Sequence, residues 1–190
     1  IGRKLTLVTE QVPVPLQPSL LDLILVIGEL ERRLKCVDQA LAAYANTNPD
    51  VQVLLGIQGI GITIATAFVA RVSSIHMFNR GRSFASWLGL TCREYSSGQT
   101  RRLGRITRQG DRYLRTMLIH GARAALMAAR RKAATGKELT RLETWAVRTQ
   151  ARVRHNKATV ALANKMARII WAVWTRHDKF NGNDALRFAA

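Results

Sequence analysis

Residues 55–65 read Leu55-Gly56-Ile57-Gln58-Gly59-Ile60-Gly61-Ile62-Thr63-Ile64-Ala65. A short apolar run, a turn with glycines two residues apart and a second apolar run form the pattern of a helix-hairpin-helix. Glycine permits the sharp turn, and the first amides of the second helix are then free to meet a phosphate. Gly59, Gly61 and Thr63 are the residues that this pattern sets against a nucleic-acid backbone, gripping it without reading sequence. The bland alternative is a tight helix–helix turn that holds no ligand. The same stretch belongs to a run without charge from Val51 to Ala70, long enough to be mistaken for a membrane span. Gln52, Gln58 and the three glycines interrupt it, so a buried hairpin is expected and no membrane partner.

Outward from this hairpin the chain reads as all-α. On the C-terminal side, helices are expected over Thr63–Val72, Arg82–Leu88, from Asp111, over about Leu139–Val153 and from about Asn156. In the helix after Asp111, Leu114, Met117, Leu118, Gly121, Ala122 and Ala125 form one stripe. Arg112, Arg115, Arg123 and Arg130 stand off it, which predicts an inner apolar face and an outer basic one. On the N-terminal side a short helix is expected over Val53–Ile57. Before it, Leu20, Leu23, Ile27, Leu30, Leu34, Val37, Leu41 and Tyr44 alternate spacings of three and four, the a/d seam of a coiled coil. Gly28 and the extra apolar Leu21, Ile24, Leu25 and Val26 keep an ordinary amphipathic helix in play. Residues 1–18, with prolines at 13, 15 and 18, read as an extended linker. The expected organisation is therefore linker 1–18, coiled-coil helix 19–46, helical domain 51–176 and tail 177–190.

Charge separates these parts. The chain of 190 residues has 30 Lys and Arg against 12 Asp and Glu, a net charge of +18. Residues 1–50 are close to neutral, whereas residues 101–176 hold 19 basic and 3 acidic side chains. Such a field attracts polyanions, of which nucleic acid is the commonest. Two cysteines, Cys36 and Cys92, exclude a disulfide framework or a four-cysteine zinc site and suit a reducing cytoplasm.

Residues 93–105 break the helical pattern with Arg93-Glu94-Tyr95-Ser96-Ser97-Gly98-Gln99-Thr100-Arg101-Arg102-Leu103-Gly104-Arg105, an exposed loop or short hairpin. A serine hydroxyl attacks only when its proton is removed or the charge forming on its target is stabilised. Guanidinium groups stabilise a phosphodiester by bidentate hydrogen bonds to its non-bridging oxygens. Ser97 beside Arg101, Arg102 and Arg105 is thus chemically suited to strand cleavage. Arg108, Arg112 and Arg115 extend the same basic run as backbone contacts. By composition alone, Ser-Ser-Gly is ordinary loop material and nearby arginines simply bind phosphate. No proton acceptor for the serine is identifiable. Metal-dependent phosphoryl transfer needs converging carboxylates, and between Val51 and Arg176 only Glu94, Asp111, Glu138 and Glu143 are acidic. His76, His120, His155 and His177 show no ligand spacing, so no metal site is expected in this chain.

Five stretches in order carry a resemblance: 56–61, Phe78 with Ala85-Ser86-Trp87-Leu88-Gly89-Leu90, 93–98, Ile106-Thr107-Arg108-Gln109-Gly110-Asp111-Arg112-Tyr113-Leu114-Arg115, and Ala161-Leu162-Ala163-Asn164-Lys165-Met166-Ala167-Arg168-Ile169-Ile170-Trp171. Together they resemble the C-terminal part of the insertion-sequence one-ten family of transposases, to which the pilin invertase is related. The resemblance implies a recombinase guided by a structured RNA, in which an RNase-H-like domain of four acidic residues holds magnesium. A serine-bearing domain completes it, and a coiled coil joins the two. It places the nucleophile at Ser97, with the adjacent Ser96 as fallback. DNA, a guide RNA and a second copy bound through the coiled coil are the implied partners. The four-acid domain has no counterpart here, so a fragment of a longer transposase or a truncated remnant is expected, inactive by itself. The rivals are a non-catalytic nucleic-acid clamp and an RNA-binding structural protein of the ribosomal kind.

Overall fold

A computed structural model describes residues 12–183, and these divide into two compact units between residues 44 and 45. The outer parts of the expected linker and tail, residues 1–11 and 184–190, lie outside the described residues. Seven α-helices and one two-stranded sheet make up the described chain, so the fold is mainly all-α.

The first unit holds a 3-10 turn at Val14–Leu16 and most of the long helix α1, Gln17–Thr47. The helix begins before the expected Ser19 cap because Pro18 is tolerated in a first turn, where its missing N–H would be unpaired anyway. Leu23, Ile27, Leu30, Leu34 and Val37 of the heptad seam are all exposed. Glu29 bridges Arg32 and Arg33 at 2.8 and 2.7 Å.

In the second unit the helices are α2 Pro49–Leu55, α3 Ile62–Arg71, α4 Gly81–Trp87, α5 Arg112–Ala134, α6 Arg141–Arg152 and α7 His155–Arg176. Helix α2 starts four residues earlier than the apolar pattern predicts. Asn48 Oδ1 accepts from the Val51 amide at 3.1 Å, and Pro49 occupies the first turn; this cap outweighs the polar Asp50 and Gln52. Asp111 caps α5 by accepting from the Leu114 amide at 2.9 Å. The charge-free run from Val51 to Ala70 is split between α2, the turn and α3, and no helix among the described residues is long and apolar enough to cross a membrane.

Helix α7 is the axis of the unit. Leu162, Ala163, Met166, Ala167, Ile169, Ile170, Ala172, Val173 and Trp174 are buried, which takes in more than one face and marks a helix surrounded by others. It packs against α2, α4, α5 and α6. Phe68, Phe78, Phe84 and Trp87 form an aromatic cluster with ring centroids 5.0–6.0 Å apart. The expected inner stripe of α5 is buried apart from half-buried Met117. At its crossing with the turn 56–61, Gly59 has φ +88° and lies against the Gly121 carbonyl, while Gly121 lies against that of Gly59. A side chain at either glycine would separate the turn from α5, so Gly59 holds the turn in place by its smallness.

Glu143 joins three elements from the interior. It closes a capping box with Thr140 at the start of α6, accepts from Gln58 Nε2 at 2.9 Å and pairs with Lys132 Nζ at 2.9 Å. Burial pushes its pKa up, but the hydrogen bonds from the Thr140 amide, Gln58, Lys132 and the Thr140 hydroxyl outweigh this and lower it from 4.5 to about 2. A carboxyl more acidic folded than unfolded adds stability above the unfolded pKa and loses it as pH falls through the folded one. The size is roughly 3 kcal/mol. Urea titrations of the parent and Glu143→Gln should therefore differ most at pH 6–7, and the difference should shrink as pH falls from 4.5 towards 2. A difference independent of pH would contradict this account of the carboxylate.

Candidate functional site

Residues 93–105, expected as an exposed loop or short hairpin, belong to a β-hairpin. Strand β1, Cys92–Glu94, pairs antiparallel with β2, Leu103–Ile106, with an irregular register between Cys92 and Glu94. Beyond the strands, the Tyr95 amide donates to Arg102 O at 2.8 Å, and Ser97 and Thr100 exchange backbone bonds at 3.2 and 3.1 Å. Gly98, with φ +56°, is the first central residue of this two-residue turn, the position where glycine suits a turn that follows strand twist. Ser96 and Ser97 thus stand at an exposed hairpin tip.

The two serines are not equivalent. Ser96 Oγ donates to Glu94 Oε1 at 2.8 Å and accepts from the Arg102 amide at 3.1 Å, so its hydroxyl is spent in holding the hairpin. Glu94 also meets Arg101 Nε at 3.6 Å. Residues two apart share a strand face, whereas neighbours face opposite sides, which separates Ser97 from the Glu94–Ser96 pair. The Ser97 hydroxyl is engaged in no hydrogen bond among the described residues. Arg102, Arg105, Arg108 and Arg112 are exposed and have no carboxylate partner among the described residues. Arg102 and Arg105 on the hairpin and Arg108 just beyond β2 thus concentrate unpaired positive charge there, while Arg112 opens α5.

Arg115 sits differently from the other arginines. It is buried, and its Nη1 donates to Leu88 O at 3.1 Å, with Gly110 O and Asp111 O at 3.5 Å. The sequence pattern sets it on the outer face of α5; in the structure its charge is consumed by carbonyls at the foot of the hairpin. Around that foot, the Thr107 amide donates to Thr91 O and the Arg108 amide to Gly89 O, at 2.9 and 3.0 Å. Gly89 and Gly110, with φ +70° and +105°, cross so closely that Gly89 lies on the Gln109 carbonyl and Gly110 on that of Trp87. From α7, Asn164 Nδ2 donates to Leu90 O at 3.0 Å and Trp171 Nε1 to Phe78 O at 2.9 Å. The foot is cross-braced by these bonds and anchored on buried Leu88, Gly89, Leu90 and Arg115, while the tip is exposed. No residue-type signal marks the roles of Arg115 and Asn164, because their partners are main-chain carbonyls. Glu94, two residues before Ser96, was visible as a same-face partner.

Gly61 and Thr63 lie at the exposed start of α3; Gly61 caps the helix without a side-chain bond, and open space surrounds it. Arg71, at the other end of α3, pairs with Asp111 at 3.0 Å and lies over the Tyr113 ring at 5.3 Å, beside Arg112. Among the described residues no three His, Cys, Asp or Glu side chains come together as metal ligands; the resemblance assigns magnesium to the four-acid domain and not to these residues.

The fold and site define a mainly helical, strongly basic domain that presents a serine-tipped hairpin on a braced foot. Residues 51–137 match the family described as Transposase IS116/IS110/IS902, and the chain belongs to that family. It is 38% identical over 164 residues to a probable family 20 transposase of Pseudomonas aeruginosa, covering 86% of this chain and 47% of that protein. It is 40% identical over 154 residues to the transposase for insertion sequence element IS1111A of Coxiella burnetii, covering 81% and 39%. A putative transposase of Sinorhizobium fredii is 34% identical over 152 residues, covering 80% and 38%. The chain spans somewhat under half the length of these curated relatives.

Proposed function

We propose that this chain is the serine-bearing part of a DNA transposase, in which Ser97 attacks a DNA phosphodiester. The Ser97 Oγ–phosphorus bond forms, one deoxyribose oxygen leaves and takes up a proton, and reversal of the exchange rejoins the strand. The phosphoserine link conserves the bond energy until rejoining. Arg101, Arg102 and Arg105 stabilise the charge on the non-bridging oxygens. The observation that carries this is the free hydroxyl of Ser97 at the exposed tip, beside Ser96, whose hydroxyl is bound by Glu94 and the Arg102 amide.

Gly61 and Thr63 at the start of α3, with Arg108 and Arg112, hold the DNA backbone in this proposal, and the turn through Gly59 is a helix-hairpin-helix. Arg115 serves by positioning the hairpin foot. Divalent magnesium is supplied by a partner domain of four acidic residues, a structured RNA guides target choice, and two copies pair through the exposed seam of α1, whose leucines support that pairing. The chain by itself binds DNA without completing transposition.

The binding half is testable with the chain alone. Replacing Arg101, Arg102 and Arg105 together by glutamine should weaken binding to a duplex of arbitrary sequence at least tenfold at 100 mM salt. The slope of log affinity against log salt should also shrink by about two to three. Unchanged affinity and slope would remove these arginines from the DNA interface.

A further inference from the structure

A groove of about 610 Å³ runs along α6, lined by Leu139, Arg141, Thr144, Trp145, Arg148, Thr149 and Arg152. It lies outside the hairpin, and beyond the segment 51–137 that matches the family. The lining positions recur at helical spacing on one face of α6, while Leu142, Glu143 and Ala146 on the other face are buried. Three of them are arginines, and none has a carboxylate partner among the described residues. Between residues 138 and 176 the only carboxylates are Glu138 and Glu143, and Glu143 is spent on Gln58, Lys132 and Thr140. From Arg141 to Arg152 the helix rises about 16 Å, the length of about five stacked nucleotides of one strand.

Trp145 stands in the middle of this arginine row, half-buried. Lys165 of α7, which is not among the groove-lining side chains, sets its Nζ 4.6 Å from the centre of the Trp145 ring. Burial, and then the neighbouring Arg168, lower the Lys165 pKa from its ordinary value. Guanidiniums spaced for phosphates around one aromatic ring are the combination that binds unpaired nucleotides: phosphates meet the charges and a base stacks on the ring. Duplex has no unstacked base to offer the tryptophan.

We propose that the α6 groove binds an unpaired stretch of nucleic acid, with Arg141, Arg148 and Arg152 on its phosphates and one base stacked on Trp145. This adds a second contact to the nucleic-acid binding proposed above and rests on that reading only in so far as the chain is a nucleic-acid-binding protein. RNA and DNA single strands share this chemistry.

Fluorescence anisotropy with labelled 12-mers of oligouridine and oligothymidine, and with a blunt 12-base-pair duplex, tests it on the whole chain. Trp145→Ala should weaken binding of the preferred single strand about 5- to 100-fold and leave the duplex within about twofold. Trp145→Phe should keep most of the affinity, since a phenyl ring still stacks. Arg148→Gln should weaken the single strand and lower its salt slope by about one. Tighter oligouridine would name RNA as the source, and tighter oligothymidine DNA; either supports the groove. Trp145→Ala or Arg148→Gln binding both 12-mers as the parent does would overturn it while the duplex interface stands. Equal losses for Trp145→Ala and Trp145→Phe, with helical circular dichroism intact, would overturn the stacking. A parent chain that binds none of the three probes would overturn this inference and the proposed binding function together.

Discussion

Replacing Ser97 by alanine in a transposase polypeptide that contains this sequence should reduce strand exchange by on the order of a thousandfold or more, because no other atom can take its place in the covalent link. DNA affinity should stay within about twofold, since the hydroxyl contributes little beside the arginines. Ser96→Ala is the informative comparison. It releases the Glu94 carboxylate and the Arg102 amide, both held by Ser96 Oγ, and leaves the nucleophile present. Exchange should fall only about tenfold or less through a looser hairpin tip. If instead Ser96→Ala abolishes exchange while Ser97→Ala retains it, the nucleophile is Ser96, with Glu94 as its hydrogen-bond partner. If both variants exchange strands as the parent does, the chain is a clamp and the serine chemistry is wrong.

The second large effect lies at the foot of the hairpin. Gly110→Ala should cost about 3–5 kcal/mol, because φ +105° disfavours any side chain and the new methyl group would meet the Trp87 carbonyl. In a chain of this size that lowers the thermal midpoint by about 8–15 °C. Gly98→Ala provides the control. It also has positive φ, at +56°, but open space surrounds it, so it should cost about 1 kcal/mol. Equal midpoints for the two variants would show that the crossing of residues 87–89 with 108–110 is not as close as described. The functional consequence is separable: Gly98→Ala alters the turn next to Ser97 and should lower exchange more than stability.

The helices were legible wherever apolar spacing was regular. Helix α3 was expected over 63–72 and spans Ile62–Arg71, and α4 was expected over 82–88 and spans Gly81–Trp87. Helix α2 was legible as a helix but not in its start, since the Asn48 cap and Pro49 decide it rather than the apolar run. The hairpin at 92–106 was legible as a polar break in helical period that left a loop or a short hairpin open. Its strands are too short, three and four residues, for alternation to establish. At the site, the exposure of Ser97 followed from glycine and polar neighbours. The distinction between Ser96 and Ser97 did not: spacing puts Glu94 on the Ser96 face, but only the fold brings the Arg102 amide to Ser96 Oγ and fixes its bond to Glu94. Arg115 shows a general reason for such misses. A helical wheel assigns charged residues outward, and only the bare carbonyls of Leu88 and Gly110, brought together by the fold, make an inward guanidinium favourable.

Trapping a covalent adduct shows directly whether Ser97 is the strand-cleaving nucleophile. A transposase polypeptide containing this sequence, incubated with donor DNA and magnesium, then quenched in acid and digested with protease and nuclease, should yield a peptide carrying a nucleotide phosphate on residue 97. That peptide should be absent for Ser97→Ala and present for Ser96→Ala. Active strand exchange with no phosphoserine adduct at residue 97, or with the adduct on Ser96, would contradict the account.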